Sequence, residues 1–286
     1  MLIKLAFRAG MRKAASTLII VMAVIVVVIV TVQYIMVIRE KPALFIYTDP
    51  SAYPLINTLA IYYELKNDVD LRVISTALPS LLARIIATNT GDIIVTPDHM
   101  SMIKIMEHGL VHNETVKPLS LVIPSLLVNK GVTRPITGLS DLVKNVHVIG
   151  VVDPSYSFFG EISIQLLIES GVYDDVENKL VVYQDIPQLA RQVALGVVDT
   201  AILPSFTHNW YPEDTYVVWL TQSNVSIPVT CQMIGVLKYT SDYERANSFL
   251  NYVVEFVEKG YASRLGYVLR GVEEYVANTL PSICRI

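Results

Sequence analysis

Four short polar stretches, each lying between a strand-like run and a helix-like run, carry the groups that could do chemistry in this chain. They are Thr48 to Ser51, Ser75 to Ser80, Ser155 to Gly160, and Asp185 to Ile186. A loop that opens a helix leaves backbone N–H groups without intrahelical acceptors, and nearby hydroxyls such as those of Thr48, Ser51, Ser80 and Ser157 add further donors. Exposed helix N-termini favour negative charge by roughly 0.3 to 1 kcal/mol each, and charge-assisted hydrogen bonds contribute about 1.5 to 3 kcal/mol each. A handful of such donors, brought together, could hold a small dianion without an arginine. The bland alternative is that the serines only cap their helices, which serine does at most helix starts.

Other chemistries find less support. Ser101-Met102-Ile103-Lys104 has the Ser-x-x-Lys spacing of penicillin-recognising enzymes, but neither Ser-Asp-Asn nor Lys-Thr-Gly accompanies it. His108 and His112 stand four apart like zinc ligands, yet Gly109 interrupts the helix and no glutamate lies between them, so no metal site is expected there. No Gly-x-Ser-x-Gly, P-loop or dinucleotide fingerprint occurs, and neither an enzyme nor a bound cofactor is expected.

The elements that must position the four loops are legible. Leu71 to Ser75 alternates as a strand, Pro79 and Ser80 open an amphipathic helix carrying Leu81, Leu82, Ile85 and Ile86, and Asn89 with Gly91 ends it. Ile93 to Val95 is a continuous apolar run, as a strand covered on both faces requires. Thr96-Pro97-Asp98 turns into another helix that Gly109 closes. Residues 44 to 48 give a first strand, with a helix holding Leu55, Leu59, Tyr62 and Tyr63 after it. The pattern restarts with strands at 146 to 152, 180 to 183 and 199 to 203, and with helices at 162 to 170 and from Asp185 to Leu195. Val229 to Leu237 reads as a returning strand, and Ser241-Asp242-Tyr243-Glu244 as a capping box for the helix after it. Strands alternating with helices over short links imply an α/β fold of parallel strands whose following loops gather along one sheet edge, where ligands sit. The expected architecture has one lobe from residues 44–125 and 229–270 and a second from 126–228. Two crossing segments would make a hinged cleft between them.

The polar loop with serine, then Leu82-Ala83-Arg84-Ile85, Gly91-Asp92-Ile93-Ile94-Val95-Thr96 and Asp98, resembles the type II periplasmic solute-binding proteins, particularly the molybdate and tungstate binders of ABC importers. The resemblance covers about Leu44 to Leu269. It implies that Ser51, Ser80, and the backbone N–H groups of Phe159 and Ile186 hold a tetrahedral oxyanion for delivery to an ABC transporter permease. The chain departs from the family where its tyrosine falls near Pro204, and where Asp49 and Glu161 bring carboxylates to the loops. With Asp153, these are candidates to coordinate the metal centre of an oxometalate or to accept a proton from an oxyanion such as phosphate. Sulfate, a small organic acid, or a tethered receptor without transport cargo are the alternatives.

Of the 286 residues 52% are hydrophobic, and part of that content is not globular. Ala14 to Ile38 carries no charge and is long enough to span a bilayer, for which roughly 20 apolar residues suffice. Residues 1–13 contribute Lys4, Arg8, Arg12 and Lys13, while Arg39, Glu40 and Lys41 have a mixed balance, so a single-pass helix with its N-terminus in the cytoplasm and the rest outside is expected. The lack of a good cleavage site points to an uncleaved membrane anchor. The net charge of -4, with no basic run beyond the N-terminal flank, argues against nucleic acid as partner. Cys231 and Cys284 are the two cysteines; one bridge is possible, and the sequence leaves open whether they meet. The sequons at Asn113 and Asn224 carry little weight. No role is evident for the extension 271–286.

Overall fold

The computed structural model describes residues 21–33, 41–155, 157–220, 228–269 and 280–285. Contacts divide the chain into Met1–Pro42 and Ala43–Ile286. In the first unit residues 21–33 are helical and exposed. Among the described residues no helix is long and apolar enough to cross a membrane; of the span expected at 14–38, residues 14–20 and 34–38 lie outside those described.

The second unit holds two five-stranded sheets. The first takes β1 (Ala43–Thr48), β2 (Asp70–Ser75), β3 (Ile93–Thr96), β4 (Lys117–Val122) and β10 (Thr230–Val236) in the order β2-β1-β3-β10-β4. Helix α1 (Tyr53–Glu64) and helix α2 (Leu78–Thr88) connect the parallel strands β1, β2 and β3, and α3 (His99–Glu107) follows β3. Strand β10 is antiparallel to both β3 and β4. All four residues of β3 are buried, which accounts for its unbroken apolar character.

The second sheet repeats this plan in the order β7-β6-β8-β5-β9. Its strands are β5 (Pro124–Asn129), β6 (Ile149–Val152), β7 (Leu180–Tyr183), β8 (Thr200–Pro204) and β9 (Thr215–Trp219). Between them run α4 (Leu142–Asn145), α5 (Phe158–Glu169), α6 (Tyr173–Val176) and α7 (Ile186–Ala194), while α8 (Tyr243–Glu258) follows β10 and returns to the first sheet. Only Ile123 separates β4 in one sheet from β5 in the other. The apolar stretch from Ser120 to Val128 is therefore two strands that part company at Pro124.

Each helix is held by the periodicity its sequence shows. In α7 Ile186, Leu189, Ala190 and Val193 are buried, and in α8 Ala246, Phe249, Leu250, Val253, Val254 and Val257 are. The N-cap of α8 is Asp242, whose carboxylate accepts from the Arg245 N–H, one residue later than the capping box at Ser241 implies. Cys231 and Cys284 form a disulfide that ties residues 280–285 to β10, with Leu280 and Ile283 packed against the apolar cluster around Tyr47, Leu81 and Met102. That part of the extension is thus packed against the first sheet; residues 271–279 and Ile286 lie outside the described residues.

Candidate functional site

The loop after β1 is shaped by a carboxylate. Asp49 Oδ1 accepts from the Ser51 N–H at 2.8 Å and from the Ser51 hydroxyl at 2.6 Å, and the Asp49 carbonyl accepts from the Ala52 N–H. This turn delivers the chain into α1, so the negative charge expected of a bound anion is already supplied by the protein at this helix start. Ser51 is buried, and both of its donors are committed to Asp49. Thr48 is also buried and donates to the Asp49 carbonyl.

Burial pushes the Asp49 carboxyl up to about 6; the two Ser51 bonds oppose the rise, and the charges of Asp98 and Asp185 add to it. Asp49 and Asp98 follow strands of the first sheet, whereas Asp185 follows β7 of the second, so their electrostatic coupling places loops from both sheets in one neighbourhood. A ring contact of 5.9 Å between His99 and Phe158 again joins the start of α3 to the start of α5. Asp98 is itself a buried N-cap, accepting from the Ser101 N–H and hydroxyl, and burial raises its pKa. His99 is buried with Nδ1 2.6 Å from the Thr230 hydroxyl, and burial lowers its pKa.

The remaining expected residues fall into two groups. Ser157 caps α5 by accepting from the Gly160 N–H, leaving the Phe158 and Phe159 N–H groups ahead of the first intrahelical bond. Ile186 occupies the matching place in α7, where Asp185 caps the helix by accepting from the Gln188 N–H. Asp153 accepts from the Ser155 N–H and folds the loop before α5. Ser80 and Glu161, by contrast, are exposed in the first turns of α2 and α5. Among the described residues no cluster of His, Cys, Asp and Glu has the geometry to hold a metal ion.

Sequence reasoning passed over three residues that shape this site. Gln232, fully buried in β10, donates through Nε2 to the Ser51 hydroxyl at 3.0 Å, and the Tyr267 hydroxyl donates to the Ser51 carbonyl at 2.9 Å. A glutamine inside the apolar run Val229 to Leu237 was the available signal, since a buried amide needs a partner. Gly160 is a third: a Cβ there would lie 2.4 Å from the Val152 carbonyl oxygen, so only glycine lets α5 start against the end of β6.

The arrangement is a meeting of helix-opening loops from two sheets, suited to enclosing a small polar solute. Comparison with solved structures agrees on the fold. The periplasmic molybdate-binding protein of Azotobacter vinelandii is 16% identical with a TM-score of 0.67, covering 79% of this chain and 99% of its own. Iron-bound HitA from Pseudomonas aeruginosa is 15% identical with a TM-score of 0.58, covering 78% and 83%. AfuA from Actinobacillus pleuropneumoniae, with fructose-6-phosphate bound, is 18% identical with a TM-score of 0.63, covering 79% and 84%. A comparison with curated protein sequences finds no match. The model of the bacterial extracellular solute-binding proteins matches residues 44–255, and the chain belongs to that family.

Proposed function

We propose that this solute-binding protein captures a tetrahedral oxyanion, molybdate or tungstate in the first place, and presents it to the permease of an ABC-type importer. It acts by binding rather than by catalysis, and residues 14–38 keep it at the membrane with residues 1–13 in the cytoplasm and the domain that follows outside. The disulfide between Cys231 and Cys284 supports an oxidising, extracytoplasmic setting. The fold shared with a molybdate-binding protein supports the cargo class.

The observation that carries the reading is the Asp49 carboxyl set beside the helix starts and closed on by Ser51, which burial pushes up to about 6. A dianion placed there repels the ionised carboxylate and favours its protonated form. Binding of molybdate is therefore linked to uptake of one proton, and affinity rises as pH falls from 8 toward 6. Isothermal titration of the full chain in detergent with molybdate, tungstate, sulfate and phosphate, in buffers of different ionisation heat, measures both affinity and proton uptake. Absence of binding by every oxyanion at micromolar concentration rejects the reading and leaves a tethered receptor in its place.

The same carboxyl also favours a second reading, in which the solute is phosphate or a phosphate monoester that brings its own proton. Ionised Asp49 then accepts a hydrogen bond from the proton that such a ligand keeps in its monoanionic form. Asp49→Asn separates the two: it tightens molybdate by removing repulsion and weakens phosphate by removing the acceptor.

A further inference from the structure

Ser51 is a four-way junction. Its N–H and hydroxyl close on Asp49 Oδ1, its hydroxyl oxygen accepts from Gln232 Nε2, and its carbonyl accepts from the Tyr267 hydroxyl. Ser51, Gln232 and Tyr267 are each at most 1% exposed, so water cannot replace these partners. Asp49 Oδ2 receives no hydrogen bond from the described residues.

The direction of each bond follows from the count of hydrogens. Ser51 has one hydroxyl hydrogen, and at 2.6 Å from Asp49 Oδ1 it is committed there. Gln232 can then meet Ser51 only as a donor, through Nε2, and its Oε1 is left buried without a partner among the described residues. An apolar side chain of similar shape would avoid that defect. What offsets it is the hold that Nε2 keeps on the Ser51 hydroxyl.

Tyr267 supplies the other support from the region where the sheets join. Its ring stacks on Phe206, just after β8 of the second sheet, with centroids 4.9 Å apart. Gly266 makes the approach possible: its φ is +84°, and a Cβ there would lie 2.9 Å from Phe206 Cα. The next residue, Val268, accepts from the Leu121 N–H and donates to the Ser120 hydroxyl, immediately before the crossing at Ile123.

We infer that Gln232 and Tyr267 are positioning residues of the solute site: they fix Ser51 so that both its donors close on Asp49 Oδ1, leaving Oδ2 to meet the solute. The inference rests on the oxyanion reading only in assigning Asp49 to the solute. Around Asp49, Asp98 from the loop after β3 and Asp185 from the loop after β7 disfavour its charge, and the Ser51 bonds favour it. Loosening Ser51 therefore moves the Asp49 titration upward.

The test uses the full chain carrying Gln232→Leu or Tyr267→Phe, read three ways. Carbon-13 NMR of the Asp49 carboxyl without solute is expected to give a midpoint above that of the parent in both variants. Gln232→Leu is expected to unfold no earlier than the parent, because it removes an unpartnered buried oxygen. Affinity for whichever of molybdate or phosphate the parent binds is expected to fall about tenfold, the loss of roughly one hydrogen bond. Midpoints unchanged from the parent in both variants overturn the inference, whatever happens to stability. If the parent binds neither anion, the cargo reading fails while the Asp49 midpoints still decide the positioning role.

Discussion

The buried carboxyl of Asp49 bears on stability as well as on the proposed recognition of solute. Between the ordinary carboxylate range and about 6, the folded chain retains a proton at Asp49 that the unfolded chain has released. Folding stability from this group therefore falls as pH rises through that window and stays low above it. A shift of about two units corresponds to on the order of 3 kcal/mol. Asp49→Asn keeps an acceptor for the Ser51 N–H and hydroxyl while removing the charge. It is expected to raise stability by roughly 1 to 3 kcal/mol at pH 7.5 and by nothing measurable at pH 4. Denaturant titrations at the two pH values check this, and an equal effect at both would mean that charge burial is not the cause.

At the scale of elements, the first turn of α5 shows how little room the second sheet allows. The nearest atoms to a Cβ on Gly160 are all backbone, from Val152, Asp153 and Pro154, so no rotamer change can relieve the clash. Gly160→Ala is expected to cost about 1 to 3 kcal/mol of stability. It is also expected to weaken solute binding by displacing the Phe158 and Phe159 N–H groups. Urea unfolding and titration calorimetry on the same sample check both. The sequence made α5 and its neighbours readable, because β3 is buried on both faces, α7 and α8 repeat every three to four residues, and Asp98 and Asp185 cap their helices. It did not reveal β9, which beyond Thr215 is only partly buried or, at Trp219, exposed, and lacks a clear alternation. It also missed that Ser51 faces Asp49. Both residues suit a helix-opening anion loop, and only the fold decides whether the serine donates to a ligand or to its neighbour's carboxylate. Gln232 lay hidden for a similar reason: β10 brings it to Ser51 across 181 positions of sequence.

For the whole molecule, the disulfide sets how the second unit is held together, and the N-terminal segment, as the proposed anchor, bears on where it works. Cys231 and Cys284 enclose a loop of sequence separation 53, for which chain entropy predicts roughly 4 kcal/mol of stabilisation. Cys284→Ser is expected to lower the unfolding free energy by about 2 to 4 kcal/mol and to release residues 280–285 from the Tyr47 cluster, which limited proteolysis detects. The proposed tether has a different consequence. A binding protein attached beside its permease meets it at an effective concentration set by linker length, in the millimolar range for short flexible linkers. Contact with the permease can then be weak without limiting uptake. If residues 14–38 are retained as an anchor, membranes from the native cell contain a chain that still begins with its N-terminal residues, and external protease removes the domain that follows. Cutting the chain within residues 39–42, with the amount of domain outside the cell held constant, is expected to reduce oxyanion uptake more than it reduces oxyanion binding. Equal uptake from the released domain would show that the tether contributes nothing to delivery, and recovery of a native soluble species starting near residue 40 would show that the segment is a leader instead.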